Sequence, residues 1–284
     1  MNTAVENLDR RAACAAIGAA TERFTALLRT TADVGRLAAG TDWTVAETAA
    51  HVAVVLIGFN AAVAAQSIGL TPDEYVEGDF PTRLAACNAA TLNFVEHTDA
   101  EALAQLINAE GRRFLKLVTA ADPDQECDTP WYGAGRTRTV ECLAALALGE
   151  LTLHGRDIAA GTDRPWPISA DDATLILGTV CPHMLPLVVR PNAGMAAPVI
   201  YEIRLRGGRQ RHKQRFVLRV ADGTAQVRAP GEPADCILSV DPVTFLLVSY
   251  GRMPFRRALL RGGIVLKGRR PWLGLRYKDA FFNP

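Results

Sequence analysis

The spacing of apolar residues changes period partway along the chain, so the chain cannot be built on a single kind of secondary structure. Up to about residue 160 the apolar positions recur at helical intervals, as in Ala16, Ala20, Phe24, Leu27 and Leu28. From Pro198 onward they alternate with period two, in Tyr201-Glu-Ile-Arg-Leu-Arg, Phe216-Val-Leu-Arg-Val and Ala225-Gln-Val-Arg. Charge changes at the same place. Residues 1–160 hold 12 Lys and Arg against 21 Asp and Glu, a formal −9, and residues 161–284 hold 19 against 9, a formal +10. The near-neutral total of +1 therefore describes neither part. The coincidence of the two changes predicts an α+β protein: a helical bundle over residues 1–160, a Pro-rich connection over 161–197 with an apolar helix candidate near Asp172–Val180, and a small α+β domain over 198–284.

Within the first part, helices are expected over about residues 4–37, from about Thr44 to Gln66, once or twice between Thr82 and Ala120, and from Thr139 to Ala160. The second of these opens on Thr44-Val-Ala-Glu47, which has the form of a capping box, with Thr44 as N-cap and Glu47 reaching back. Thr71–Pro81 and Asp122–Arg138 read as loops. In the second part, Cys236–Val240 and Ile264–Lys267 add two strands, Pro242–Tyr250 and Pro254–Arg261 are helix candidates, a short helix follows Pro271, and Asp222-Gly223 marks a hairpin turn.

Several function classes fall away. Met1–Arg11 is polar and charged, without the apolar core of a secretory signal. The apolar run Val52–Ala65 is interrupted by Asn60 and shorter than the roughly 18 residues of a membrane span, so it reads as a buried core helix. Six cysteines (14, 87, 127, 142, 181 and 236) lie scattered without a C-x-x-C pair, which excludes a disulfide framework or a thiolate-rich zinc site and fits a cytoplasmic protein. Basic residues of the second part fall on alternating strand positions (Arg204, Arg206, Arg215, Arg219) without an aromatic recognition motif, so nucleic acid is not the expected partner, and neither is a membrane. His97 and His212 sit in polar surroundings and read as surface residues.

The chemistry concentrates on the last helix of the first part. Glu150 and His154 are four residues apart and share a helix face with Leu143, Leu146 and Ala147. Ionisable groups on an apolar stripe are costly unless they pair or coordinate something. His51 lies in Thr-Ala-Ala-His-Val-Ala-Val-Val-Leu-Ile, apolar nearly all round, and should face the same interior. Two readings of the spacing stand side by side: hydrogen-bonded core histidines with a buried Glu150–His154 ion pair, or two His and one carboxylate around a metal with an open position, the ligand set of a catalytic zinc.

Trp43-Thr-Val-Ala-Glu-Thr-Ala-Ala-His51 resembles the tryptophan-then-helix motif of the DinB-like four-helix bundles, and Glu150-Leu-Thr-Leu-His154-Gly-Arg-Asp157 is similar to the last-helix motif of their mycothiol-dependent maleylpyruvate isomerase branch. The resemblance covers about residues 5–160 and implies that His51, Glu150 and His154 are the metal ligands, that the metal is zinc, and that a low-molecular-weight thiol, mycothiol, is the cofactor. Asp235-Cys-Ile-Leu-Ser-Val-Asp241-Pro, Tyr250-Gly-Arg252 and Gly263-Ile-Val-Leu-Lys-Gly268 resemble a C-terminal domain similar to the sterol carrier protein 2 fold. The resemblance implies an isomerase, or a thiol S-transferase, acting on a small anionic or electrophilic substrate. Arg252 is the expected catalytic cation for an anionic substrate, with Arg256, Arg257, Arg269 and Arg270 as rivals. Asp157 is a candidate to orient His154. The competing reading is a binding protein that carries an apolar ligand in its second domain beside a structural or vestigial metal site.

Overall fold

A computed structural model describes residues 3–66, 78–96, 99–191, 197–209, 214–229 and 231–282. The chain divides into two units at Pro167/Ile168. The first is helical: α1 (Thr3–Arg29), α2 (Val45–Val63), α3 (Phe80–Thr91), α4 (Ala100–Ala120) and α5 (Val140–Gly161). α1 and α2 each pack on both α4 and α5, which makes a four-helix bundle with α3 beside it. Phe24, Leu28, Leu56, Leu103, Ile107, Phe114, Leu143 and Leu151 are fully buried at its centre.

Local chemistry sets the helix ends. Thr44 caps α2 by accepting the Glu47 N–H at 3.1 Å, and Glu47 Oε2 accepts the Thr44 N–H at 2.8 Å, so the expected capping box is formed. Thr139 Oγ1 accepts the Cys142 N–H at 3.2 Å and opens α5. α1 stops at Arg29 rather than near residue 37: the Thr30 and Thr31 N–H groups donate to the Leu27 and Leu28 carbonyls in a tightened last turn, and Asp33 Oδ1 accepts the Gly35 N–H at 2.9 Å in the turn that follows. α2 is long and apolar enough to cross a membrane, but it lies mostly buried as a core helix of the bundle.

The segment Asp122–Arg138 is more ordered than a loop. β1 (Glu126–Asp128) and β2 (Thr137–Thr139) pair antiparallel, with Cys127 opposite Arg138, and a 3-10 turn at Pro130–Tyr132 lies between them. The expected loop at Thr71–Pro81 falls largely outside the described residues, and His97 and His212 fall wholly outside them.

The second unit opens on α6 (Ala170–Met184), capped by Ser169, whose hydroxyl accepts the Asp172 N–H at 3.0 Å. The apolar helix candidate near Asp172–Val180 within the segment 161–197 is therefore formed and runs further at both ends, and it packs on α7 (Pro242–Ser249). Five strands form one sheet: β3 (Val199–Leu205), β4 (Arg215–Ala221), β5 (Thr224–Arg228), β6 (Cys236–Val240) and β7 (Ile264–Lys267), in the order β5-β4-β3-β6-β7. Only β3 and β6 run parallel, with Tyr201 opposite Cys236. β4 and β5 turn at Asp222 and Gly223, whose φ angles of 49° and 68° are those of a type I′ hairpin. α8 (Phe255–Leu260) follows α7, and a 3-10 helix at Pro271–Arg276 follows β7. Tyr201, Ile203, Leu238 and Phe245 form the buried core of this unit.

Candidate metal centre

α2 and α5 are neighbours in the bundle, and they bring His51, Glu150 and His154 together from positions about a hundred residues apart. One donor atom from each lies within 4.8 Å of the other two. Glu150 Oε2 is 3.3 Å from His51 Nε2 and 3.1 Å from His154 Nε2. The imidazole planes of His51 and His154 meet edge to face, with centroids 5.0 Å apart. Side-chain exposure is 4% for His51, 14% for His154 and 25% for Glu150, so the cluster is buried with one side open at the carboxylate.

These contacts are short without being hydrogen bonds. Glu150 Oε2 is buried and neither imidazole reaches it in hydrogen-bond geometry. A buried carboxylate oxygen left so costs free energy unless a positive charge meets it, whether that of the His154 imidazolium 3.1 Å away or that of a bound ion. In a tetrahedral site with metal–ligand bonds of about 2.0–2.1 Å, two donor atoms stand roughly 3.3 Å apart. The separations of 3.1 and 3.3 Å match that edge length. The residues present therefore fit a divalent ion bound by two imidazoles and one carboxylate.

Electrostatics around the cluster are strongly biased. Burial pulls the His51 imidazole below its ordinary 6.5, and the nearby Glu150 carboxylate only partly offsets this. Burial would raise the Glu150 carboxyl, but His154 and His51 outweigh it and hold the group well below the usual carboxylate range. Burial would lower the His154 imidazole, but Asp157 and Glu150 outweigh it and push it up to about 9. Asp157 is fully buried, and its Oδ2 lies 3.5 Å from His154 Nδ1. Trp43, from the turn before α2, packs its ring 5.1 Å from that of His51.

A cavity of about 310 Å³ opens beside the cluster, with His51 and Glu150 in its wall. α2 supplies Val54, Val55 and Gly58, three, four and seven residues beyond His51 and so on one helical stripe. α3 supplies Leu84, Cys87, Asn88 and Thr91 with the same spacing, and the 3-10 turn supplies Trp131 and Tyr132. Sequence reasoning did not single out Cys87, Trp131 or Tyr132. The helical spacing of 84, 87, 88 and 91 is a signal for a common face, but the turn carries no periodicity to read. Burial raises the Cys87 thiol, so it stays protonated and is a poor nucleophile.

Arg252 belongs to the second unit, just after α7, where its guanidinium donates to the Tyr250 carbonyl at 2.8 Å. Of its rivals, Arg269 pairs with Asp235 at 2.9 Å, and Arg256, Arg257 and Arg270 are exposed. Arg204 and Arg215 both pair with the buried carboxylate of Glu202.

The architecture and the cluster define a class: a helical bundle with a His/Glu/His centre in its interior, followed by an α+β unit. Residues 14–159 match the family described as the mycothiol maleylpyruvate isomerase N-terminal domain, and the chain belongs to that family. Two crystal structures of the mycothiol-dependent maleylpyruvate isomerase, one of a histidine-to-alanine mutant, are similar with TM-scores of 0.52 and 0.53. Each match has 16% sequence identity and covers 93% of this chain and 95% of that one. At that identity the likeness is one of fold. No curated protein matches the sequence.

Proposed function

We propose that His51, Glu150 and His154 hold a divalent ion, zinc by the character of the donors, in a thiol-dependent enzyme that acts as an isomerase or an S-transferase. The observation that carries this reading is the convergence of three donors around the buried Glu150 Oε2, which has no hydrogen-bond partner. A zinc ion there would lower the pKa of a bound thiol and make a thiolate available at neutral pH. Family membership favours mycothiol as that thiol.

The remaining roles belong to side chains of this chain. Asp157 orients the His154 ring from its Nδ1 side, and Trp43 buttresses His51. Cys87, kept protonated by burial, does not compete with the external thiol. Tyr132, whose hydroxyl burial holds well above its ordinary range, is available as a neutral hydrogen-bond donor in the cavity wall. Arg252 is our candidate for holding a substrate carboxylate if the substrate is an anion. We further read the second unit as a sterol carrier protein 2-like domain.

Metal analysis of the purified full-length protein tests the proposal. About one zinc per chain is expected, together with thiol-dependent turnover, and both should be lost in His51→Ala and His154→Ala. A protein that contains no metal and takes up none from zinc solutions overturns it. The carrier reading meets one unfavourable observation: the apolar hollow lined by Val180, Met184, Phe245 and Phe281 holds about 40 Å³, close to the volume of a single water. A lipid recovered by extraction and mass spectrometry would restore that reading.

A further inference from the structure

We infer that the cavity beside the cluster takes an uncharged, apolar electrophile of one or two rings, in preference to a dicarboxylate. This rests on the metal-and-thiol reading above and narrows its substrate class.

Among the described residues, those that line the cavity include no lysine or arginine, and Glu150 is the only carboxylate. Apart from the cluster itself, the polar side chains there are the neutral Asn88, Thr91 and Tyr132, with the Cys87 thiol and the Trp131 indole. A substrate carboxylate in this space would give up its hydration and find no lysine or arginine among the described lining residues, while the two charges of an ion held as proposed would already be balanced by Glu150 and a bound thiolate. Arg138 stands over the Tyr132 ring at 5.2 Å, outside the lining. An uncharged ring meets the opposite situation. Val54, Val55, Leu84, Phe94 and Trp131 offer apolar and aromatic surface, and Gly58 leaves room between the stripes of α2 and α3. The volume of about 310 Å³ is roughly twice the ~150 Å³ of a dry cavity that accepts benzene.

His51 and Glu150 belong to the wall of this space, so an apolar substrate would lie with its electrophilic carbon towards them and its rings against Trp131 and Val55. In the transfer, the thiol sulfur forms a bond to that carbon and the thiol proton passes to solvent. The leaving group departs with the electron pair of the bond that breaks. The step is a substitution and consumes neither oxidant nor reductant. A substrate of this kind asks nothing of Arg252.

The test compares naphthalene with maleate on the full-length protein, by titration calorimetry and by tryptophan fluorescence with Trp131→Phe as the control for the reporting residue. Naphthalene should bind at least a hundredfold more tightly than maleate and quench Trp131. Val55→Arg, at a half-buried position of the wall, should weaken naphthalene at least tenfold and admit maleate. Phe94→Arg, at a side chain 65% exposed, should shift the ratio the same way and serves if the first variant fails to fold. Maleate binding as tight as naphthalene, or a preference that neither variant moves, overturns the inference. Metal content, read on the same samples, separates this outcome from failure of the parent reading. Metal with a preference for maleate defeats the apolar substrate alone, whereas a preference for naphthalene without metal defeats the enzyme.

Discussion

The carboxylate of Asp157 lies 3.5 Å from His154 Nδ1, so the imidazole is held between Asp157 on one side and Glu150 on the other. Asp157 is itself fixed, fully buried and with Arg156 3.8 Å away. Groups placed in this way orient a ligand ring and raise its basicity, and their loss typically costs 10–100-fold in metal affinity. On the proposed metal reading, Asp157→Asn is expected to weaken zinc binding by roughly that factor while leaving the helical circular dichroism unchanged. Competition against a chelator of known affinity measures it, and an unchanged affinity would remove Asp157 from the site.

Gly155, one residue beyond His154, lies under the indole of Trp166. A Cβ added there would stand 2.2 Å from Trp166 Cζ2. The indole cannot easily yield, because its Nε1–H donates to the Thr152 carbonyl at 2.9 Å and the Arg23 guanidinium sits 4.1 Å above the ring. Gly155→Ala should destabilise the first unit by about 1–3 kcal/mol through overpacking, visible as a lower urea midpoint.

The capping box of α2 offers a milder perturbation two turns from His51. Thr44→Ala removes the acceptor for the Glu47 N–H and should cost about 1 kcal/mol, while Thr44→Ser should recover most of it. Thermal unfolding of the three proteins under one buffer condition gives the comparison.

Lys278 provides a test by pH. Burial, with a smaller contribution from Arg190, lowers its ammonium from 10.5 to about 8, and its Nζ–H donates only a long 3.4 Å bond to the Ser249 carbonyl. Below about pH 8 the group is charged in both the folded and the unfolded chain, and the folded state carries the cost of burying it. Between about 8 and 10.5 the unfolded chain keeps the proton and the folded chain releases it, so stability rises with pH across that window. Lys278→Met should raise the melting temperature at pH 7, with the advantage over the parent shrinking towards pH 10.5. A constant advantage at every pH would show that packing rather than charge is responsible.

Much of this architecture was legible wherever a local rule acts alone. Thr44 and Glu47 declare a helix start at any tertiary context, and the period-two runs Tyr201–Leu205 and Phe216–Val220 fall on β3 and β4, although Glu202 and Val217 on the second face are buried too. The juxtaposition of Glu150 with His154 follows from helical pitch. That α2 would lay His51 against them is a tertiary fact, which the family motifs anticipated and spacing alone left open beside the ion-pair reading. Other features lay below the threshold of any periodicity. β1 and β2 are three residues each, too short to alternate, so the ribbon that carries Trp131 and Tyr132 reads as a loop. α6 shows in the sequence as an apolar helix candidate near Asp172–Val180, but its full length is obscured by surrounding prolines, one of which, Pro182, lies inside its last turn.

The proposed ligands on α2 and α5 would have a further consequence because 99 positions separate His51 from Glu150. An ion bound between them ties off a loop of about a hundred residues, and a permanent link around a loop of that length removes roughly 4–5 kcal/mol of chain entropy from the unfolded state. Such a tie is reversible, and its strength follows the ratio of free metal to its dissociation constant. The supply of metal would then govern how firmly the first unit resists unfolding, independently of any turnover at the same three side chains.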